Sequence, residues 1–92
     1  LNLLEHRVVV EGREVKLTPT EYELLKVMLK YAGRVLTHKQ LLKAVWGNEY
    51  DTDTHYIRIY MRQLRRKIEP DPAQPKYLIT EAGIGYRLLG GE

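Results

Sequence analysis

Residues 53–69, DTHYIRIYMRQLRRKIE, combine a helical apolar repeat with a high density of positive charge. Four apolar residues follow the i, i+4, i+7, i+11 spacing that places side chains on one face of an α-helix, and they are Ile57, Met61, Leu64 and Ile68. Asp53 is placed to cap the start of this helix, and Pro70 follows its end. The opposite face of the predicted helix carries His55, Ile59, Arg62, Gln63 and Arg66. Its flanks carry Arg58 and Arg65 on one side and Tyr56, Tyr60 and Lys67 on the other.

Positive charge is concentrated on this predicted helix. Residues 54–69 carry five Lys or Arg and one Glu, a net charge of +4, whereas the whole chain carries +3, so the remainder sums to −1. One interpretation is a solvated surface helix whose arginines keep a small domain in solution. The other is a helix that enters the major groove of DNA, with arginines on phosphates and guanine edges. The exposed position of Ile59, which could contact a thymine methyl group, favours the second interpretation.

Composition bounds the class of protein. Ninety-two residues are enough for one domain with one modest core. The chain contains no cysteine, which fits a reducing cytoplasm, and no apolar run approaches the ~18 residues of a membrane span. It starts at Leu1, and we expect it to be a piece of a longer protein. The sequence pI of about 9.2 permits a nucleic-acid partner.

The sequence does not predict an enzyme. Its three histidines are His6, His38 and His55, and none has a second metal ligand or a nucleophile at a known spacing. The pair Gly83 and Gly85 lies between predicted strands rather than before a helix, so it is not a phosphate loop. We therefore expect no catalysis, no cofactor and no metal.

The rest of the chain predicts an α+β domain. Strands are expected at 1–4, 6–10 and 13–17, with a Glu11-Gly12 turn, and again at 34–36. Two capping boxes, Thr18 with Glu21 and Thr37 with Gln40, start helices that run to about Tyr31 and to Gly47. The proline-rich connector 70–75 leads into a hairpin over 76–89, with strands at 76–80 and 86–89. The fold class is thus an N-terminal antiparallel sheet, three helices and a C-terminal β-hairpin, and a hairpin directly after a DNA-reading helix is a wing.

Two further features carry open interpretations. Trp46 either fills the junction between two helices or points its indole N–H at a phosphate, and both can hold together. The loop 48–52 contains Glu49, Tyr50 and Asp51. Acidic side chains repel a phosphate backbone, so a functional partner of this loop is expected to be a protein.

Four segments resemble, in order, the OmpR/PhoB-type winged-helix domains. They are LTPTEYELL at 17–25, VLTHKQLL with VWG at 35–47, the helix 57–67, and GIGYR at 83–87. The resemblance covers nearly the whole chain. The stretch 55–61 most resembles the branch of the family that regulates potassium-transport operons.

This resemblance implies the effector domain of a two-component response regulator. Such a domain follows a phosphorylatable receiver domain, which would be absent here, and a sensor kinase acts on that receiver. It binds double-stranded promoter DNA, commonly as a tandem pair on direct repeats, through a recognition helix (54–69) and a wing (76–89). It contacts RNA polymerase through the loop that here holds Glu49, Tyr50 and Asp51. We expect no membrane partner, and a monomer in the absence of DNA.

The resemblance also assigns roles by position. His55, Tyr56, Tyr60 and Arg62 are implied to contact phosphates, Ile59 and Gln63 to meet bases, and Trp46, Thr80 and Tyr86 to lie at backbone-contacting positions. The charge pattern of the helix adds Arg58, Arg65 and Arg66 to this predicted interface, and Arg87 on the wing is expected to contact the DNA backbone.

The sequence departs from the family pattern before the first wing glycine. Many members carry an arginine there that enters the minor groove, whereas this chain has Ala82 preceded by Glu81. Gln63 suits adenine better than guanine. The alternative function is a winged-helix protein-interaction module whose third helix binds an acidic partner.

Overall fold

The computed structural model describes residues 2–4, 7–47 and 54–89. In chain order, the first elements are β1 (Asn2–Leu4), β2 (Arg7–Val10), β3 (Arg13–Lys16) and α1 (Pro19–Lys30). They are followed by β4 (Val35–Thr37), α2 (His38–Trp46), α3 (Thr54–Ile68), β5 (Leu78–Glu81) and β6 (Gly85–Leu88). The predicted order of strands, three helices and hairpin is confirmed.

The N-terminal strands form an antiparallel sheet in the order β1-β2-β3. Val10 pairs with Arg13 across the two-residue turn, and both turn residues have positive φ, 50° at Glu11 and 81° at Gly12. This conformation matches the twist of the flanking strands, which is why a glycine-containing pair closes the hairpin. Val8 and Val15 are cross-strand partners, and both are buried.

Both predicted capping boxes are confirmed. The Glu21 N–H donates to the Thr18 hydroxyl at 3.3 Å, and the Thr18 N–H donates to the Glu21 carboxylate at 2.9 Å. Thr37 and Gln40 exchange the corresponding bonds at 3.0 and 2.9 Å. Each box satisfies N–H groups that the first helical turn leaves without partners, so α1 and α2 start where the sequence places them.

A second antiparallel sheet, ordered β4-β6-β5, ties the hairpin to the helices. Thr37 on β4 is the partner of Gly85 on β6. A Cβ on Gly85 would lie 1.9 Å from the Leu36 carbonyl oxygen, so this close approach of two backbones requires glycine.

The hairpin strands differ slightly from the prediction. The first strand runs from Leu78 to Glu81 rather than from Lys76 to Thr80, and the N–H groups of Lys76 and Tyr77 before it donate to the Glu69 carboxylate. The return strand begins at Gly85, one residue earlier than expected.

One core unites these elements. The predicted apolar face of α3 is confirmed, since Ile57, Met61, Leu64 and Ile68 are all buried. α3 is also fastened to α1 by an ion pair of 2.6 Å between Lys67 and Glu21, whose side chain is 1% exposed. None of the helices in the described ranges is long and apolar enough to cross a bilayer.

Candidate nucleic-acid interface

The outer face of α3 is an open ridge. Its side chains are exposed, and we call the set His55, Arg58, Ile59, Arg62, Gln63 and Arg66 the basic ridge. Ile59 is 38% exposed, so an apolar side chain lies on the surface among the ridge arginines. Within the part of the chain that the structure describes, the ion pairs involve none of Arg58, Arg62 and Arg66. Their positive charge is therefore available to an external anion.

Arg65 lies elsewhere. Its Nε and Nη2 donate to the Leu78 carbonyl at 3.1 and 2.9 Å, and Nη2 also donates to the Thr80 hydroxyl at 2.6 Å. Its guanidinium carbon lies 5.8 Å from the centre of the Tyr86 ring, within the range of a cation–π contact. The predicted interface includes Arg65, but the structure directs this side chain to the hairpin rather than to the basic ridge.

Aromatic side chains join α2 to the first half of α3. The Trp46 ring lies 6.4 Å from that of Tyr56 in a stacked arrangement and 5.4 Å from that of Tyr60 in a tilted one. Trp46 and Tyr60 are half-buried against the core. The interpretation of Trp46 as filler of a helix junction is confirmed, and its phosphate contact stays a prediction.

The hairpin divides its predicted site residues between two faces. Thr80 and Tyr86 are cross-strand partners and face α3, whereas Ile79 and Arg87 are partners on the other face. Arg87 forms a 2.8 Å ion pair with Glu81. The structure therefore brings Thr80 and Tyr86 next to α3 and does not bring Arg87 there.

Tyr86 is nearly buried, with its ring edge against the ring of His38 at 5.3 Å between centroids. Burial raises the pKa of the Tyr86 hydroxyl, and the positive charges of Arg65 and Arg58 act in the opposite direction. The hydroxyl accordingly stays protonated at neutral pH and remains a hydrogen-bond donor.

Two features of the site were not predicted. A cleft of about 430 Å³ separates the end of α3 from the proline-rich connector and is lined by Arg62, Arg65, Arg66, Pro72 and Ala73. Ile84, at the tip of the hairpin, is 55% exposed. The sequence contained no indication of the cleft, because the cleft depends on where the connector folds. Ile84 was not predicted to be part of the interface, because a single apolar residue in a glycine-containing turn is a weak sign of an interaction site.

The role of Glu69 is a third feature that was not predicted. Its side chain is 4% exposed, and its carboxylate accepts hydrogen bonds from the backbone N–H groups of Lys76, Tyr77 and Leu78 at 2.7 to 3.1 Å. An acidic residue at the end of a basic helix, directly before Pro70, was the available signal.

Two predictions fall outside the described residues. They are the cap at Asp53 and the protein-contacting loop with Glu49, Tyr50 and Asp51.

Comparison with known proteins identifies relatives along most of the chain. The family described as "Transcriptional regulatory protein, C terminal" matches residues 12–88. The KDP operon transcriptional regulatory protein KdpE of Escherichia coli is 54% identical over 87 residues, which cover 94% of this chain and 39% of that protein. KdpE of Mycobacterium tuberculosis is 48% identical over 87 residues, covering 95% of this chain and 38% of that protein. The chain thus spans about two fifths of the length of these relatives.

Solved structures share the fold. The response regulator DrrB, a Thermotoga maritima OmpR/PhoB homologue, superposes with a TM-score of 0.77 at 30% identity, covering 87% of this chain and 36% of DrrB. The Klebsiella pneumoniae RstA DNA-binding domain, solved in complex with the RstA box, superposes with a TM-score of 0.81 at 24% identity, covering 90% of this chain and 82% of that domain. The latter likeness concerns the fold alone.

The predicted family and its potassium-operon branch are both confirmed by these relatives. The three helices, the antiparallel sheets and the superpositions establish the winged-helix fold. This chain belongs to the family of OmpR/PhoB-type C-terminal domains of transcriptional regulatory proteins.

Proposed function

We propose that this domain binds double-stranded promoter DNA in a sequence-specific manner, with α3 in the major groove and the β5–β6 hairpin as a wing. The observation that supports this most directly is the basic ridge, a row of exposed cations on a helix whose opposite face is fully buried. A major groove about 12 Å wide admits one α-helix, and a rigidly anchored helix presents its outer side chains there in a fixed register.

The ridge side chains divide by chemistry. Arg58, Arg62 and Arg66 supply charge for phosphates or guanine edges, and His55 lies at the first turn, where a phosphate contact is expected. Gln63 can form a bidentate pair with adenine, and Ile59 can pack against a thymine methyl group. The half-buried Trp46 and Tyr60, with Tyr56, would contact the DNA backbone beside the helix.

The wing is proposed to follow the DNA backbone. Thr80 is exposed and lies beside α3, and Tyr86 keeps its hydroxyl proton. Arg87 forms an ion pair with Glu81, and Ala82 occupies the position at which an arginine would enter the minor groove. These observations favour backbone contacts over minor-groove reading, with Arg87 reaching a phosphate only if it leaves Glu81.

The partners of the full-length protein extend this proposal. As in a response regulator, a receiver domain and its sensor kinase would control the domain, two copies would occupy direct repeats, and the loop with Glu49, Tyr50 and Asp51 would contact RNA polymerase. The isolated domain would be monomeric in the absence of DNA. It would act in the cytoplasm. It would carry out no catalysis, in keeping with relatives that are named transcriptional regulators.

The first test measures binding to duplexes selected from a random pool, over a range of salt concentrations. Arg62→Ala and Arg66→Ala should each make the slope of log K against log salt less negative by about 0.9, one phosphate contact each. Arg7→Ala removes the same charge from the N-terminal sheet, where Arg7 pairs with Glu14, and should leave the slope unchanged. Equal effects of all three variants would mean that net charge, rather than the ridge, drives binding.

The second test concerns sequence preference. Gln63→Ala should cost about 1–3 kcal/mol at one base position and leave the others unchanged. An unaltered preference would remove Gln63 from the base-reading residues. Absence of duplex binding at about 50 mM salt would contradict DNA recognition and favour the protein-interaction alternative.

A further inference from the structure

We infer that Arg65 is a positioning residue that orients the Thr80 hydroxyl toward a DNA phosphate and fixes the wing on α3, without contacting DNA itself. This inference rests on the proposed function. It assigns to Arg65 a role different from the phosphate contact that the charge pattern of the helix predicts.

The geometry starts at Leu78, the first residue of β5. Its N–H donates to the Glu69 carboxylate at 2.8 Å, and its carbonyl accepts two bonds from the Arg65 guanidinium. β5 is an edge strand, since the sheet order is β4-β6-β5. Glu69 directly follows α3 and its N–H donates to the Arg65 carbonyl at 3.0 Å, so the side chains of these two residues, four positions apart, project from the same side of the helix end. These two side chains hydrogen-bond the Leu78 N–H and carbonyl, which would otherwise be free to pair with an additional strand.

The guanidinium group suits this task because its N–H donors lie in one plane at fixed angles. One fork binds the Leu78 carbonyl, and the same Nη2 reaches the Thr80 hydroxyl at 2.6 Å. The Tyr86 ring, 5.8 Å from the guanidinium carbon, contributes a cation–π contact beside it.

The consequence for Thr80 follows from hydroxyl chemistry. A hydroxyl has one donor proton and two acceptor lone pairs. Because Arg65 donates to the oxygen, the proton of Thr80 is directed away from the guanidinium, and Thr80 is an exposed residue. A phosphate oxygen only accepts hydrogen bonds, so it is complementary to this oriented donor.

Salt dependence separates this role from a phosphate contact by Arg65. Arg65→Ala should weaken binding to the selected duplex about tenfold, the equivalent of one hydrogen bond to a charged group, with the salt slope of the wild type. Arg62→Ala is the control that flattens the slope. A slope flattened by about 0.9 in Arg65→Ala would overturn the inference while leaving DNA binding intact. A wild-type domain that fails to bind duplex DNA would instead overturn the proposed function.

A double-mutant cycle tests whether Arg65 acts through Thr80. Thr80→Val keeps the shape of an exposed strand residue and removes the hydroxyl, so it should also weaken binding about tenfold. The double variant should bind no more than about twofold more weakly than Arg65→Ala, since Arg65→Ala already removes the contact that Thr80→Val removes. A multiplicative loss of about a hundredfold would show that the two side chains act independently and would overturn the inference.

Arg65→Lys guards against loss of folding in the alanine variant. Lysine keeps the charge but lacks the planar fork, so it should not restore wild-type affinity. Full restoration would mean that charge alone matters at this position, against the inference. Thermal unfolding of each variant is measured first, and Arg65→Lys and Thr80→Val decide the outcome if Arg65→Ala does not fold.

Discussion

Replacing Glu69 with glutamine tests how the hairpin is attached to α3. The two carboxylate oxygens accept from three backbone N–H groups, those of Lys76 at 2.7 Å, Tyr77 at 3.0 and 3.1 Å, and Leu78 at 2.8 Å. Glutamine has nearly the same shape but replaces one oxygen by an NH₂ group. That group is a donor, so at least one buried N–H loses its acceptor, and the remaining hydrogen bonds are made to a neutral oxygen instead of a charged carboxylate.

The expected cost follows from these bonds. A hydrogen bond to a charged group contributes about 1.5–3 kcal/mol, and a buried donor without a partner costs about 1–3 kcal/mol. With part of the network retained, the free energy of unfolding should fall by about 3 kcal/mol. For a domain of this size each kcal/mol corresponds to about 4–8 °C in Tm, so the midpoint should fall by about 12–24 °C.

Urea and thermal unfolding followed by circular dichroism measure the difference. Glu23→Gln is the matched control, because Glu23 is an exposed residue of α1 and its replacement should stay within about 0.5 kcal/mol of the wild type. If Glu69→Gln is as stable as this control, the carboxylate bonds do not hold the hairpin in place and the reasoning is refuted.

Three further predictions concern stability. Gly85→Ala should cost about 3 kcal/mol or more in urea unfolding, since its Cβ would lie 1.9 Å from a backbone oxygen of β4; a near-neutral result would contradict that close approach. Thr37→Ala should cost about 1 kcal/mol through loss of the α2 cap, whereas no loss would show that the cap is dispensable. Tyr77→Phe should raise the pKa of Glu11, because the Tyr77 hydrogen bond is the main cause that lowers it below 4.5. A carboxyl group whose pKa is lowered by folding stabilises the fold at pH values above its ordinary pKa, and this stabilisation is lost as the pH falls through the lowered pKa. The Tyr77→Phe variant should therefore be less stable than the wild type at neutral pH and equally stable at acid pH. Carboxyl NMR titration and unfolding at both pH values check this prediction.

The features that the sequence predicted are those with local causes. A capping box acts within four residues, so Thr18 and Thr37 mark their helix starts without knowledge of the rest of the fold. The spacing of Ile57, Met61 and Leu64 defines a buried face whatever lies beneath it. The ridge is then the opposite face, which is why its exposure was predictable.

The features that were missed depend on distant partners. Helical periodicity places Arg65 on a flank but does not indicate that Leu78 and Thr80 lie beside it. Glu69 looked like the last residue of a helix, although its carboxylate binds the start of a strand. Glu21 was identified as a cap, whereas its ion pair with Lys67 joins residues 46 positions apart. Local sequence patterns predict that such charged residues face solvent, whereas in the folded domain they bind partners that are distant in the sequence.

The pairing of β4 with β6 has a consequence for biosynthesis. Residues 35–37 find their strand partners only at 85–87, so β4 has no strand partner in a nascent chain that has emerged only as far as the connector. Bringing these two segments together costs chain entropy, and the β4–β6 hydrogen bonds can stabilise the fold only after this loop has closed. The domain therefore completes its folding only when its last strand has left the ribosome, and nascent chains that stop before Gly85 should remain sensitive to protease.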